Sequence, residues 1–206
     1  MDAVAVAVAW IGPLAVAGAW AAVRVGGVSI WAAMGWTLGP LGALALLSGG
    51  VEAGGGLLEA LIGVGAGLAL YAATATFLFL ARGWWILRRQ AHELYARRRG
   101  LSLGAVLAIA CLVAAPGEES LWRGLIQGGL GEVLDEAPGA ALAWGLYVLA
   151  NLVSGSVPIV LGAAVGGAAW TALALWTGGI LASVACHVVW TGLMILRPPV
   201  GEGSDA

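Results

Sequence analysis

Charged residues are scarce in this sequence, and lysine is missing altogether. Only 10% of the 206 residues are charged, all nine basic residues are arginine, and the formal net charge is −2. This balance argues against a nucleic-acid partner, which would need a basic surface. The chain is 61% hydrophobic, with a mean hydropathy of +0.98. A soluble domain could not cover itself with so few polar groups, so we expect lipid to be its solvent.

Cysteine and histidine are also rare, with two residues of each type. Cys111 and Cys186 lie in apolar runs, where packing explains them better than a disulfide or a metal pair. His187 is the one histidine in a predicted span, and with two adjacent glutamates it makes a poor set of metal ligands. We therefore expect no metal and no other cofactor.

Apolar runs long enough to cross a bilayer recur along the chain. About 20 apolar residues are needed for a helix to cross it. We predict an all-α, polytopic transmembrane helix bundle of about seven spans in a single membrane domain, 1–206. The first run is taken as a span and not as a signal peptide, because Asp2 precedes it and no basic region does. The predicted spans are 3–22, 29–48, 57–81, 101–127, 139–155, 158–176 and 178–196.

The distribution of arginine predicts the orientation. Six of the nine arginines lie between Arg82 and Arg99, and with seven spans this segment shares one side with Arg24 and Arg197. We therefore predict an external N-terminus and a cytoplasmic C-terminus. Arginine without lysine, among abundant alanine, glycine and valine, indicates a GC-rich bacterial genome, and hence the bacterial inner membrane. The acidic residues of the opposite side are Asp2, Glu52, Glu132, Asp135 and Glu136.

The arginine-rich segment, 82–100, also carries apolar side chains and has the composition of an amphipathic surface helix. Two interpretations stay open: it sets the topology, or it recruits substrate at the anionic inner surface. It divides the chain into three N-terminal spans, 1–81, and a four-span core, 101–196. Residues 197–206 are predicted to be a tail.

The most informative charges lie in a predicted span, at Glu118, Glu119 and Arg123. Glu119 and Arg123 are four residues apart, so they share a helix face and can pair. Glu118 points about 100° away and is left to act as a general base. The alternative is a helix end at the membrane surface, where Pro116-Gly117 breaks the span. A charge inside a span is by default a functional hypothesis.

Two further polar pairs lie in apolar helices. Tyr147 and Asn151 share a face, and an interhelical hydrogen bond alone could explain them. His187 and Thr191 are also one turn apart. A lone buried histidine is usually a satisfied core residue, but this bundle also holds two buried carboxylates, which favours a shared site.

These three segments resemble the motifs of the CAAX-protease and bacteriocin-processing family of intramembrane glutamic endopeptidases, also called the Abi family. Glu118, Glu119 and Arg123 match its E-E-x-x-x-R motif. In the second motif Tyr147 holds the aromatic position, but Asn151 stands where histidine is usual. In the third, His187 matches and Thr191 replaces the frequent asparagine. The resemblance covers roughly residues 101–196.

The resemblance implies a protease that uses a glutamate-activated water. Glu118 would activate the water, and His187 would help to orient the reacting groups or to donate a proton to them. Glu119 and Arg123 would hold the site in shape. Asn151 would bind the water or the oxyanion; its amide can donate a hydrogen bond to the oxyanion but cannot transfer a proton. Tyr147 and Thr191 would support the site. The implied substrate is a membrane-anchored or exported protein or peptide.

The topology and the function both leave alternatives open. Members of the family usually have another span before the glutamate helix and open their site to the cytoplasm, whereas the arginine count here places Glu118 nearer the outer face. Such an outward site would suit the processing of exported proteins. The other functions considered are a proton-coupled transporter, which would use the glutamates and His187 as a relay, and a non-catalytic membrane binding or immunity protein of the same fold.

Overall fold

A computed structural model describes residues 3–97 and 100–199. Within these ranges the chain forms eight helices and no β-strand. Asp2, Arg98, Arg99 and the residues after 199, including most of the predicted tail, lie outside them. The helices are α1 (Ala3–Arg24), α2 (Ile30–Leu47), α3 (Leu57–Leu80), α4 (Trp85–Ala96), α5 (Leu103–Leu134), α6 (Glu136–Leu152), α7 (Val157–Thr177) and α8 (Leu181–Leu196).

The bundle is a multi-pass membrane architecture. Helices α1, α2, α3, α5 and α7 are long and apolar enough to cross a membrane. Helix α8 is a shorter apolar helix, and α6 has 17 residues. The all-α fold agrees with the sequence, while the number of seven spans stays a prediction. Helix α4, within the arginine-rich segment, is amphipathic and buries Leu87 and Ala91.

The glutamate helix differs from the prediction in its length. Helix α5 continues to Leu134, beyond the predicted end at 127, and Asp135 then turns the chain into α6 with a φ of 71°. Pro116 does not break the helix, so the alternative of a helix end at the membrane surface is wrong. The helix absorbs the proline between wider π-helical turns, at Ala108–Ala114 and Ser120–Gln127, a distortion that is frequent at functional sites.

The extension of α5 also changes where the glutamates lie along their helix. Because α5 extends to Leu134, Glu118 lies at the middle of the helix and not near its outer end. Close packing fixes this level: Gly117 lies directly against the backbone of Leu38 and against Gly42, in the middle of α2. Any side chain at Gly117 would collide with α2.

Helices α3 and α8 also pack closely through small residues. A Cβ atom at Gly67 would lie 2.7 Å from the Cys186 carbonyl oxygen, and one at Gly63 would collide with Ala182. Neither cysteine forms a disulfide, and Cys186 is fully buried in this packing. Small residues let two helix backbones approach in this way.

Loop contacts define the two ends of the bundle. At one end the amides of Ile180 and Leu181 donate to the carbonyls of Glu52 and Ala53, at 3.1 and 3.0 Å. The opposite end holds Arg24, α4 and Arg197, and we call it the arginine-rich end. There Trp31 Nε1 donates to the Arg97 carbonyl at 3.2 Å, and the Val157 amide donates to Gln90 Oε1 at 2.7 Å. This separation of Arg24 and Arg197 from Glu52 follows the sorting of charge seen in the sequence.

Candidate active site

The three polar segments converge in the interior of the bundle. Glu118 and Glu119 come from α5, Asn151 comes from α6, and His187 comes from α8. Their exposed fractions are 9% for Glu118, 0% for Glu119, 2% for Asn151 and 6% for His187. Ionisable groups removed from water to this extent need mutual partners, and the geometry supplies them.

His187 contacts both glutamates. Its Nδ1 lies 2.8 Å from Glu119 Oε1, and its Nε2 lies 3.7 Å from Glu118 Oε2. We assign the proton to Nδ1, because an ionised carboxylate can only accept a hydrogen bond. In the neutral imidazole, Nε2 then presents a lone pair toward Glu118. The distance to Glu118 is too long for a direct hydrogen bond, so the two groups face each other without one.

Arg123 contacts a carboxylate, a backbone carbonyl and two aromatic rings. Its Nη1 lies 3.4 Å from Glu119 Oε1, as the spacing of four residues predicts, and its Nη2 donates to the Gly167 carbonyl at 3.1 Å. The guanidinium also lies over the Tyr147 ring at 4.4 Å and near the Trp170 ring at 5.4 Å. Both aromatic faces favour the cation. Glu119 therefore joins Arg123 to His187.

Trp170 sets the plane of the His187 ring, and sequence reasoning missed it. The two rings are stacked with centroids 3.7 Å apart and an interplanar angle of 12°, and Trp170 is 1% exposed. A tryptophan in an apolar helix carries no signal that separates this role from core packing. Its contacts with both His187 and Arg123 tie α7 to the site.

Tyr147 contacts Glu118 directly. Its hydroxyl donates to Glu118 Oε2 at 3.2 Å, and its ring meets Trp122 edge-on at 5.3 Å. The sequence assigned Tyr147 only a supporting part. In the structure its hydroxyl binds the same oxygen that faces His187 Nε2, so it helps to fix the rotamer of Glu118.

Asn151 is anchored by a second tryptophan that the sequence did not single out. Trp20 Nε1, from α1, donates to Asn151 Oδ1 at 2.9 Å, and Asn151 Nδ2 donates to the Tyr147 carbonyl at 2.9 Å. An amide NH₂ group has two protons, so one N–H of Asn151 remains for another acceptor. The N-terminal helix thus orients a residue of the site.

A cavity of about 560 Å³ gives access to these groups. Glu118, His187 and Asn151 lie in its wall, and Thr191 lines it one turn beyond His187. The rest of the lining is mainly apolar and comes from the helix halves nearest the arginine-rich end. It includes Leu70 and Phe77 of α3, Leu87, Ala91 and Leu94 of α4, Pro158 and Leu161 of α7, and Met194 of α8.

The cavity therefore extends from mid-depth toward the arginine-rich end, where α4 lies across it. The arginine count placed Glu118 nearer the outer face, and the face of the membrane to which the cavity opens stays a prediction. The positive-inside rule predicts that the arginine-rich end is the cytoplasmic one.

A family model matches the part of the chain that carries all three motifs. Residues 100–193, somewhat less than half of the chain, match the Rce1-like family, described as type II CAAX prenyl endopeptidase Rce1-like. No curated protein and no solved structure matches the chain. The matched segment begins just before α5 and ends in α8, so it includes both glutamates, Arg123 and His187. Residues 100–193 are thus similar to the Rce1-like family, which confirms the resemblance on which the motifs were interpreted.

Proposed function

We propose that this protein is an intramembrane endopeptidase that hydrolyses a peptide bond with a water activated by Glu118. The observation that carries the proposal is the arrangement of two ionisable groups at the inner end of one cavity. Glu118 Oε2 and His187 Nε2 face each other across 3.7 Å, while Glu119 holds the other side of the His187 ring. A water bound by both groups would be oriented for attack.

In the first step Glu118 removes a proton from the water while the water oxygen attacks the carbonyl carbon of the substrate. The attack gives a tetrahedral intermediate whose former carbonyl oxygen carries a negative charge. The C–N bond then breaks, and the proton passes from Glu118 to the leaving amine, directly or through His187 Nε2. The products are a peptide carboxylate and a peptide ammonium group, since the acid formed passes its proton to the amine, and both residues return to their starting state.

Asn151 is the donor we assign to the oxyanion. Its Oδ1 accepts from Trp20 and one of its N–H groups is bound to the Tyr147 carbonyl, so the second N–H is pre-oriented. A fixed donor of this kind lowers the barrier because it needs no reorganisation as charge develops. Thr191 also lines the cavity and can supply a second donor through its hydroxyl.

Glu119 and Arg123 form the frame of the site and take no part in proton transfer. Arg123 is bound to the Gly167 carbonyl and lies against two aromatic rings, which leaves it little freedom to move. Through Glu119 it fixes the His187 tautomer, as carboxylates do for catalytic histidines elsewhere. Glu119 and Arg123 lie on α5, His187 lies on α8, and Trp20 lies on α1. We therefore place the functional unit in the whole bundle and not in 101–196 alone.

The substrate we propose is a membrane-anchored or exported protein of the bacterial inner membrane. Its peptide would reach Glu118 from the arginine-rich end, because the cavity extends in that direction. The mainly apolar walls suit apolar side chains next to the scissile bond. The proposed mechanism uses no metal and no cofactor.

The test compares protein termini in membranes from cells that express the wild type, Glu118→Gln or Glu132→Gln. Glu132 is an exposed glutamate near the end of the same helix, so its variant controls for charge loss on α5. New termini that depend on the wild type and on Glu132→Gln, but vanish in Glu118→Gln, support the protease. Termini that persist in Glu118→Gln refute the role of this residue, and a wild type that generates no new termini favours the non-catalytic alternative.

A further inference from the structure

A second, smaller cavity lies beside the active-site cavity at the arginine-rich end. Its volume is about 120 Å³. It lies between the end of α1, one face of α4 and the loop that joins α6 to α7. Three residues, Trp20, Leu94 and Ile159, line both cavities. Its polar and charged lining residues are Arg24, Gln90, Glu93, Arg97, Ser154 and Ser156.

The charge of this cavity is positive. Arg24 and Arg97 both line it, and neither forms an ion pair with any residue in 3–97 or 100–199. The one carboxylate in the lining is Glu93, whose Oε1 lies 3.8 Å from Arg89 Nε on the exposed face of α4. Two arginines thus line one cavity, and its one carboxylate is already paired with Arg89.

The neutral groups of the lining add a donor and no competing charge. Gln90 Oε1 accepts from the Val157 amide at 2.7 Å, which leaves its NH₂ group to donate. The Ser154 hydroxyl donates to the Asn151 carbonyl and accepts from the Ser156 amide, so it needs no ligand. The volume equals about four waters at about 30 Å³ each, which is room for a tetrahedral group of four oxygens.

We propose that Arg24 and Arg97 bind the phosphate of an anionic phospholipid headgroup. Guanidinium forks match phosphate oxygens in pairs, and basic pockets between membrane helices on the cytoplasmic side are suited to anionic lipid heads. Free phosphate offers the same chemistry. The lipid is favoured because the lining also includes the apolar residues Trp20, Leu94 and Ile159, against which the glycerol and the first acyl carbons can pack.

This lipid bridges three parts of the chain that the sequence separates widely. Arg24 ends α1, Arg97 follows α4, and the α6–α7 loop follows Asn151. A bound phosphate would hold α4 in its place across the active-site cavity. The binding itself does not depend on proteolysis, so it can be measured whether or not a substrate is known.

The test measures the binding of phosphatidylglycerol to the purified full chain in detergent by native mass spectrometry. Phosphatidylcholine is the zwitterionic comparison. We expect R24Q/R97Q to lose about tenfold or more of the affinity for phosphatidylglycerol. The matched control is R82Q/R88Q, which removes two charges from the same end but from outside both cavities. It should bind as the wild type does.

Three results would overturn the proposal. Equal loss in both double variants would show attraction to surface charge in general, and no loss in R24Q/R97Q would exclude the site. Inorganic phosphate that binds through Arg24 and Arg97 as well as phosphatidylglycerol does would make the ligand a soluble anion. R24K/R97K keeps the charge without the fork, so partial recovery in this variant shows that R24Q/R97Q fails through binding and not through misfolding.

Discussion

Removal of Arg123 alone should destabilise the protein more than removal of the Arg123–Glu119 pair. The side chains of Arg123 and Glu119 are 1% and 0% exposed. In Arg123→Met the Glu119 carboxylate stays buried and keeps its hydrogen bond from the neutral His187 ring, but it has lost its cationic partner. Breaking a buried pair in this way costs about 3–5 kcal/mol, and for a chain of this size that is about 6–20 °C in Tm. In E119Q/R123M no unpaired charge remains, so the loss should be at least about 1 kcal/mol smaller.

The assay is thermal unfolding in detergent, followed by intrinsic tryptophan fluorescence. The chain provides a matched control in the exposed pair Arg89–Glu93, which has the same spacing and side chains 58% and 59% exposed. Arg89→Met should cost less than about 1 kcal/mol. The reasoning fails if Arg123→Met costs no more than Arg89→Met, or if E119Q/R123M loses as much stability as Arg123→Met does alone.

Three further outcomes can be measured. Trp170→Leu removes the ring stacked on His187, so we expect kcat to fall by about tenfold or more, with a smaller change in KM; an equal effect on both would contradict a positioning role. Trp20→Phe leaves Asn151 Oδ1 without its donor and should lower the free energy of unfolding by about 1–3 kcal/mol, measured against Trp10→Phe, an exposed residue of the same helix. Gly67→Val forces a Cβ to 2.7 Å from the Cys186 carbonyl oxygen and should cost about 1–3 kcal/mol, while Gly65→Val, which meets open space, should not.

The sequence predicted those features that depend on local spacing. Glu119 and Arg123 pair because four residues make almost one helical turn, and no tertiary information is needed for that. The apolar runs predicted the bundle because their length and composition can also be read without tertiary information. The convergence of His187 with the glutamates was different, since it was inferred from the rarity of ionisable groups inside the bundle and from the resemblance to a family, and not from any periodicity in the chain.

Other features of the site depend on tertiary packing, which leaves little trace in the sequence. Trp20 and Trp170 lie in runs of alanine, glycine and leucine, where a tryptophan that binds Asn151 or stacks on His187 looks like any core residue. The predicted span ended at 127, whereas α5 stays helical to Leu134, which puts Glu118 at the middle of the helix. An inventory of charges cannot reveal that extension.

The aromatic lining of the active-site cavity gives the protein a built-in optical probe. The indoles of Trp20, Trp170 and Trp190 all line that cavity, while Trp10, Trp36 and Trp176 are 76%, 82% and 72% exposed on the outside of the bundle. A brominated peptide that enters the cavity would quench the first group, and a brominated lipid would quench the second. Occupancy of the site can therefore be followed by light, without a label on the protein and before its natural substrate is identified.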